Sequence, residues 1–166
     1  EGAKVVLIYK RINRPFDPAK MDRNGVDRYY GANAGTADAV ETKLKEMNAD
    51  YTIIESDISN EDAAKEIYTT VIKKYGQVDI LLNNAATDDE TGCDTIETIT
   101  QNVIDDTFAV NVRGSILMTS EFIRHRGDYG RIINVSTDAA QIFAGQITYG
   151  ASKATLEALT RSIAQS

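Results

Sequence analysis

From residue 50 onward, short apolar runs alternate with helical stretches at regular intervals, and this alternation limits the possible folds more than any other feature of the sequence. The apolar runs are Tyr51 to Glu55, Val78 to Leu82 and Arg131 to Val135, with a similar run, Val5 to Tyr9, earlier in the chain. Alternation of this kind is typical of a parallel sheet covered by helices. The β-branched and aromatic run at residues 5–9 also predicts a strand buried on both faces. The sequence therefore predicts an α/β fold.

Four segments between or after these runs predict helices. Three of them space their apolar residues along one helical face: Thr36 to Met47, Val103 to Ile123 and Tyr149 to Ala164. The fourth follows Ser59 and Asp62, which fit a loose capping box.

Residues 10–35 fit this alternation badly. They contain both prolines and three glycines, and they show no periodicity. Connections in such folds usually have about 2 to 6 residues, so we interpret this stretch as an insertion or irregular segment within a single domain of residues 1–166.

Charge and composition exclude several classes of function. The net charge is −7 and the basic residues are scattered, which argues against nucleic acid as a partner because phosphate contacts need a basic face. The apolar runs are far shorter than the roughly 18 residues that a membrane span needs. No basic, apolar leader begins the sequence, so we expect a cytoplasmic protein whose partners are small molecules.

Two residues with other possible chemistry have simpler explanations. Cys93 is the only cysteine, so no intrachain disulfide can form, and we interpret it as an incidental thiol. His125 is the only histidine and has no companion ligands in its basic segment. We therefore predict that it lies at the surface and that the chain has no metal site.

Four local patterns follow one another in the second half of the alternation. They are Asp57-Ile58-Ser59 with the later run Gly76 to Ala86, then Asn111-Val112-Arg113-Gly114, then Gly130 to Thr137, and finally Tyr149-Gly150-Ala151-Ser152-Lys153. Together, in this order, they resemble the short-chain dehydrogenase/reductase family, with Ala86 in place of a glycine as the main departure. The resemblance runs from about residue 36 to Ser166. It implies a Rossmann-like, doubly wound parallel sheet with helices on both faces.

The resemblance also implies an activity, hydride transfer between NAD(P)(H) and a small carbonyl or alcohol. A free tyrosine, with a pKa of about 10, is a poor proton donor near neutral pH. Lys153 lies one helical turn after Tyr149 on the same face, and its ammonium favours the phenolate. In the family this lysine also holds the nicotinamide ribose, and the residue matching Asn111 holds a water that links the lysine to solvent.

The catalytic hydroxyl has two candidates. In the family it donates a hydrogen bond to the substrate oxygen, where charge develops. The usual spacing to the tyrosine selects Ser136, whereas an ungapped match to the family's serine pair selects Thr137. We favour Ser136 on spacing and keep Thr137 as the alternative.

The cofactor site is only partly visible in the sequence. By resemblance, the cofactor-binding residues are Arg11, Asp57, Ile58, Asn84, Ala85, Ala86, Tyr149 and Lys153. The family's glycine-rich phosphate turn has no match, and Gly31 with Gly35 imitates it weakly. Basic residues after the strand at 5–9, where NAD-preferring relatives usually carry an acid, favour NADP over NAD.

Counting back from Asp57 makes residues 5–9 the family's second strand. They should then pair with residues 51–55 and not with 78–83, and all four strands should belong to one parallel sheet. On this register we expect the central strand with its glycine turn, and the last strands with the substrate lid, to lie outside these 166 residues. The alternative is that residues 5–9 themselves form the central strand, with Gly31 and Gly35 as the phosphate loop.

The substrate stays open, with a sugar, a steroid-like ketone and a 3-oxoacyl thioester all compatible with the pattern. The resemblance implies a homodimer or homotetramer formed through helices 103–123 and 149–164. A truncated, non-catalytic member that keeps only these assembly helices is the alternative function.

Overall fold

The computed structural model describes residues 2–12, 15–22, 26–34, 37–87, 95–142 and 145–165. They form two compact units, Glu1–Asp57 and Ile58–Ser166. Each unit contains one two-stranded parallel sheet flanked in sequence by helices. The predicted α/β class with parallel strands is confirmed.

The sheet of the first unit consists of strands β1, Lys4–Tyr9, and β2, Asp50–Glu55. The strands are parallel, with Val5 opposite Tyr51. The predicted pairing of residues 5–9 with 51–55 is therefore confirmed. Helices α1, Val26–Asn33, and α2, Asp38–Glu46, lie between these strands in sequence.

Two expectations about the first unit need correction. The side chains of residues 5–9 are half-buried rather than buried on both faces. Residues 10–35 contain a 3₁₀ turn, Pro18–Lys20, and helix α1. Gly31 of α1 lies close to Phe16 and Met21, so packing stabilises a helix that no sequence periodicity indicates.

The second unit is built from four kinds of element. In chain order they are helix α3, Ala63–Tyr75; strand β3, Ile80–Asn83; helix α4, Gln101–Phe108; a π-helical turn, Ala109–Gly114; helix α5, Ser115–His125; strand β4, Arg131–Asn134; a 3₁₀ turn, Asp138–Ala140; and helix α6, Ile147–Ile163. Strands β3 and β4 are parallel, with Leu82 opposite Ile133. One face of this pair is exposed at Ile80 and Leu82, while Leu81 and Asn83 on the opposite face are buried.

The four strands form two sheets, so the prediction of a single sheet is wrong within the described residues. Within the described residues, β1 pairs with β2 and β3 pairs with β4.

Two helix boundaries also differ from the predictions. Helix α3 begins after Asp62, not at the capping box expected from Ser59. The Ser59 carbonyl instead accepts a 2.7 Å hydrogen bond from the Arg113 guanidinium. The single helix predicted over 103–123 is interrupted by the π turn, which no sequence period announces. No helix in the described ranges is both long and apolar enough to cross a bilayer.

Candidate active site

Helix α6 carries Tyr149 and Lys153 one helical turn apart. The Lys153 Nζ lies 5.7 Å from the centroid of the Tyr149 ring. Lys153 is only 2% exposed, and its Nζ donates a 2.8 Å hydrogen bond to the backbone carbonyl of Val135, directly after β4. The end of β4 and the first turns of α6 thus bring a buried ammonium close to a tyrosine ring.

Burial lowers the pKa of Lys153, because the charged form loses its hydration. Within the described part of the chain no carboxylate pairs with this ammonium, and its acceptor is the neutral Val135 carbonyl. An ammonium has three N–H groups, so Lys153 can donate to a further acceptor while it keeps this bond.

Asn111 lies in the π turn and is 1% exposed. Its Oδ1 accepts a 2.8 Å hydrogen bond from the Thr87 N–H, and its Nδ2 donates one of 2.9 Å to the Thr87 carbonyl. The Nδ2 also donates to Ser152 Oγ on α6 at 2.9 Å. Asn111 therefore connects the segment after β3 with α6, a link that the sequence pattern does not reveal.

A second polar group joins the carboxyl ends of β3 and β4. Asn83 Nδ2 donates to Asn134 Oδ1 on the neighbouring strand at 2.8 Å and to Thr119 Oγ1 on α5 at 3.1 Å. Asn134 Nδ2 donates to Thr160 Oγ1 on α6 at 2.8 Å. These bonds fix α5 and α6 to the edge of the sheet at which ligands bind in open α/β folds. The sequence analysis did not single out these bonds, although an asparagine at the end of each strand could have indicated them.

The two hydroxyl candidates have different partners. Ser136 Oγ donates a 2.6 Å hydrogen bond to the Glu157 carboxylate, which belongs to α6 two helical turns beyond Tyr149. Thr137 Oγ1 donates to Asp138 Oδ1 at 3.1 Å. Both protons are bonded to a carboxylate, and the Ser136 bond is the shorter of the two.

Gly150, directly after Tyr149, permits a close approach of the chain. A Cβ at Gly150 would overlap the backbone carbonyl oxygen of Ala139. The 3₁₀ turn that follows Thr137 therefore packs against the turn of α6 that carries Tyr149.

Three of the predicted cofactor-binding residues directly follow β3. Asn84 and Ala85 are exposed, and Ala86 is half-buried. Residues 88–94, which include Cys93, lie outside the described residues.

Ile58 is also a predicted cofactor-binding residue, and it is half-buried. A Cβ at Gly114 would lie 2.8 Å from the Ile58 carbonyl oxygen. This close approach explains the glycine that stands three residues after Asn111.

In the first unit, the predicted cofactor-binding residues Arg11 and Asp57 both have ionic partners. Lys10 pairs with Asp57, and an Arg11 nitrogen lies 3.6 Å from a Glu55 oxygen. The Tyr9 hydroxyl donates to the same Glu55 carboxylate at 3.0 Å. Ion pairs as exposed as that of Arg11 and Glu55 contribute little stability, so a bound phosphate could compete for these cations.

Two further sequence interpretations concern His125 and the glycine pair. His125 is half-buried near the end of α5, where its ring stacks on Tyr68 with 5.7 Å between centroids. No cluster of three or more His, Cys, Asp or Glu side chains in the described residues could hold a metal ion. Gly31 lies inside α1, and Gly35 lies outside the described residues.

Comparisons with known proteins match most of the chain. The family model for short chain dehydrogenase covers residues 20–166. Tetrahydroxynaphthalene reductase of Pestalotiopsis fici is 29% identical over 137 residues, which are 81% of this chain and 48% of that protein. Tropinone reductase-like 3 of Erythroxylum coca is 30% identical over 129 residues, which are 77% of this chain and 49% of that protein. The chain thus spans about half the length of the curated relatives it matches.

Solved structures share the fold. A short chain dehydrogenase from Burkholderia cenocepacia, in complex with NADP, has a TM-score of 0.74 at 24% identity, over 99% of this chain and 68% of that chain. A short-chain dehydrogenase/reductase from Serratia marcescens has a TM-score of 0.73 at 23% identity, over 98% of this chain and 67% of that chain. The described architecture is therefore part of a Rossmann-type fold.

Proposed function

The chain belongs to the short-chain dehydrogenase family, and from that membership we propose that the protein is an oxidoreductase that transfers hydride between a nicotinamide cofactor and a small carbonyl or alcohol. The observation that carries the proposal is the buried Lys153 ammonium, which lies close to the Tyr149 ring without a carboxylate partner in the described residues. Burying such a charge costs stability, so a functional reason for it is needed.

Tyr149 is the proposed acid and base of the reaction. Carbonyl reduction needs a proton at oxygen as hydride reaches carbon, and Tyr149 donates that proton. Lys153 favours the resulting phenolate, because a nearby positive charge stabilises an anion. In the oxidative direction the Tyr149 phenolate takes the proton of the alcohol.

For the hydroxyl that binds the substrate oxygen, we propose Thr137 in place of Ser136. A substrate oxygen would have to displace Glu157 from a 2.6 Å bond to recruit Ser136, but only a 3.1 Å contact with Asp138 to recruit Thr137. The packing of the following 3₁₀ turn against Gly150 gives further support, because it keeps this segment beside the turn that carries Tyr149. Asn111 remains a proposed site residue, acting through its bonds to Thr87 and Ser152.

The described residues fit a nicotinamide cofactor in part. When bound, the cofactor supplies or accepts the hydride. Lys153 keeps N–H groups that suit ribose hydroxyls, and Asn84, Ala85 and Ala86 follow β3, with Asp57 and Ile58 following β2. Lys10 and Arg11 offer the positive charge that a 2′-phosphate needs, so the proposed cofactor is NADP, with NAD as the alternative.

Self-association is the second proposed property. Ile104 on α4 and Ile116 and Ile123 on α5 are 40%, 39% and 46% exposed, and exposed apolar residues on adjoining helices support an interface. A homodimer or homotetramer through α4, α5 and α6 is the proposed assembly. A protein that kept only this assembly would be the non-catalytic alternative.

The test compares Tyr149→Phe with Tyr129→Phe in the full-length protein. Tyr129 is exposed beside Arg131, so its hydroxyl is a control for the loss of one phenol. We expect Tyr149→Phe to abolish NADPH-dependent reduction of a panel of ketones, sugars and 3-oxoacyl thioesters, because only the acid is removed. NADPH binding, followed by fluorescence titration, should persist in both variants.

Turnover of Tyr149→Phe at the level of Tyr129→Phe would refute the role of Tyr149. A wild-type protein that neither binds NADPH nor reduces any carbonyl, yet forms a stable oligomer by light scattering, would favour the non-catalytic alternative.

A further inference from the structure

Ser152 stands between Tyr149 and Lys153 in α6 and is 0% exposed. Its Oγ donates a 2.7 Å hydrogen bond to the Tyr149 carbonyl and accepts one of 2.9 Å from Asn111 Nδ2. One buried hydroxyl thus connects the backbone of the proposed acid with the π turn.

The direction of each bond in this group is fixed by its partners. Asn111 Oδ1 faces the Thr87 N–H and Nδ2 faces the Thr87 carbonyl. A flipped amide would set donor against donor and acceptor against acceptor. Since Nδ2 also donates to Ser152 Oγ, the single Ser152 proton goes to the Tyr149 carbonyl. A buried network with every donor and acceptor matched favours one arrangement.

Tyr149 lies in the first turn of α6, which begins at Ile147. Helix ends fray readily because their backbone groups lack partners within the helix. The Ser152 hydroxyl therefore holds the part of α6 in which a small displacement would move the tyrosine.

We propose that Ser152 is a positioning residue for the reaction, because its hydroxyl ties the first turn of α6 to Asn111 and, through Asn111, to the Thr87 backbone after β3. The inference rests on the proposed function, in which Tyr149 is the acid. Ser152 itself donates no proton to substrate, and it acts through the position of Tyr149.

Thr155 provides a matched comparison on the same helix. Its Oγ1 donates a 2.9 Å hydrogen bond to the Ala151 carbonyl, which is the same kind of bond to a preceding turn. Within the described residues the Thr155 hydroxyl reaches no other element, whereas Ser152 also bonds to the π turn. Removing the Thr155 hydroxyl thus measures the effect of losing a side-chain bond to the preceding turn of α6, without loss of a bond to the π turn.

The experiment compares Ser152→Ala, Ser152→Cys and Thr155→Val in the full-length protein. Ser152→Cys keeps a side chain of similar size and weakens both hydrogen bonds. It therefore provides the test if Ser152→Ala impairs folding. We expect kcat to fall about tenfold to a hundredfold for both Ser152 variants, because small misplacements of catalytic groups cost that much. Substrate KM and the NADPH dissociation constant should stay within about twofold, and Thr155→Val should retain wild-type kcat.

Amide hydrogen exchange supplies a readout that does not depend on activity. Residues 147–150 should exchange faster in the Ser152 variants, whereas residues 155–163 should keep wild-type rates, and Thr155→Val should leave 147–150 unchanged. An unchanged kcat in both Ser152 variants overturns the inference, and so does faster exchange along the whole of α6. If the wild-type protein reduces no carbonyl, the proposed function fails. Unchanged amide exchange at residues 147–150 in the Ser152 variants would separately show that the Ser152 hydroxyl does not hold the first turn of α6.

Discussion

The units Glu1–Asp57 and Ile58–Ser166 are held together differently. Among the described residues, every buried residue belongs to the second unit, and none belongs to the first. Polar side chains of the second unit, such as Asn111 and Ser152, form buried hydrogen bonds, whereas charged side chains of the first unit, such as Arg11 and Lys20, form exposed ion pairs. The difference indicates that the residues proposed for catalysis lie where this chain builds its own core. The charges proposed to select the cofactor lie where water screens them.

The largest expected effect tests this contrast with one substitution in each unit. Leu156→Ala, at a residue 2% exposed in α6, should lower the free energy of unfolding by about 3 to 5 kcal/mol, because it leaves a cavity in the core. Leu7→Ala, at a half-buried residue of β1, should cost about 1 to 2 kcal/mol, since less apolar surface is uncovered. Urea denaturation of both variants measures the difference. Equal costs would contradict the contrast between the units.

Lys153→Met should separate activity from stability within the second unit. Turnover should fall by a factor of about 10² to 10⁴, the range for losing assisted proton transfer. Burial lowers the pKa of Lys153 below its value in the unfolded chain. The charged lysine therefore lowers the free energy of unfolding at neutral pH. This penalty begins to disappear as the pH rises through the folded pKa and is gone above the unfolded pKa. The variant should therefore melt at a higher temperature than the wild type at pH 7.

Scanning calorimetry against pH checks the sign of this effect. The gain in melting temperature from Lys153→Met should shrink as the pH rises towards the pKa of an unperturbed lysine, about 10.4. A variant that melts lower than wild type at pH 7 would show that the Val135 hydrogen bond outweighs the burial of the charge.

The sequence predicted the parts of the fold that follow from periodicity. The apolar runs became strands, and the pairing of residues 5–9 with 51–55 followed from the count back from Asp57. Helix α1 was missed because contacts with Phe16 and Met21, rather than an amphipathic pattern, accompany it. The π turn was missed because no local spacing predicts it, and the bond of its Asn111 amide to Thr87 is a contact between distant segments.

The candidate site was predicted by residue type but not by its connections. The sequence places Lys153 one turn after Tyr149, and that spacing alone brings their side chains together. It does not show that Glu157 holds Ser136 or that Ser152 holds the Tyr149 carbonyl. The Ser136 link joins distant segments of the chain. The Ser152 bond lies within one helical turn, but a serine in a helix can equally bond elsewhere or face solvent, so the sequence alone does not select it.

The next largest expected effect, on kcat, distinguishes the hydroxyl of Thr137 from that of Ser136. Thr137→Val should lower kcat by about 10²-fold, the usual cost of removing one hydrogen bond to a developing oxyanion. Ser136→Ala should change kcat by less than about fivefold, because its proton is already bound to Glu157. Steady-state kinetics of both variants, at saturating NADPH, give the ranking. The reverse order would return the role to Ser136, as the spacing to Tyr149 predicts.

The smallest expected effect lies in the first unit, where exposed charges should tune cofactor choice. Arg11→Gln should weaken NADPH binding about tenfold and leave NADH nearly unchanged, because only NADPH carries the 2′-phosphate. Glu55→Gln should tighten NADPH binding a few-fold, since it frees Arg11 from its carboxylate partner. Calorimetry at low and high salt measures both, with Lys43→Gln on α2 as the charge-matched control for Arg11→Gln. Because these side chains are exposed, 1 M salt should abolish most of the difference. Equal weakening of NADH and NADPH by Arg11→Gln would place this arginine away from the 2′-phosphate.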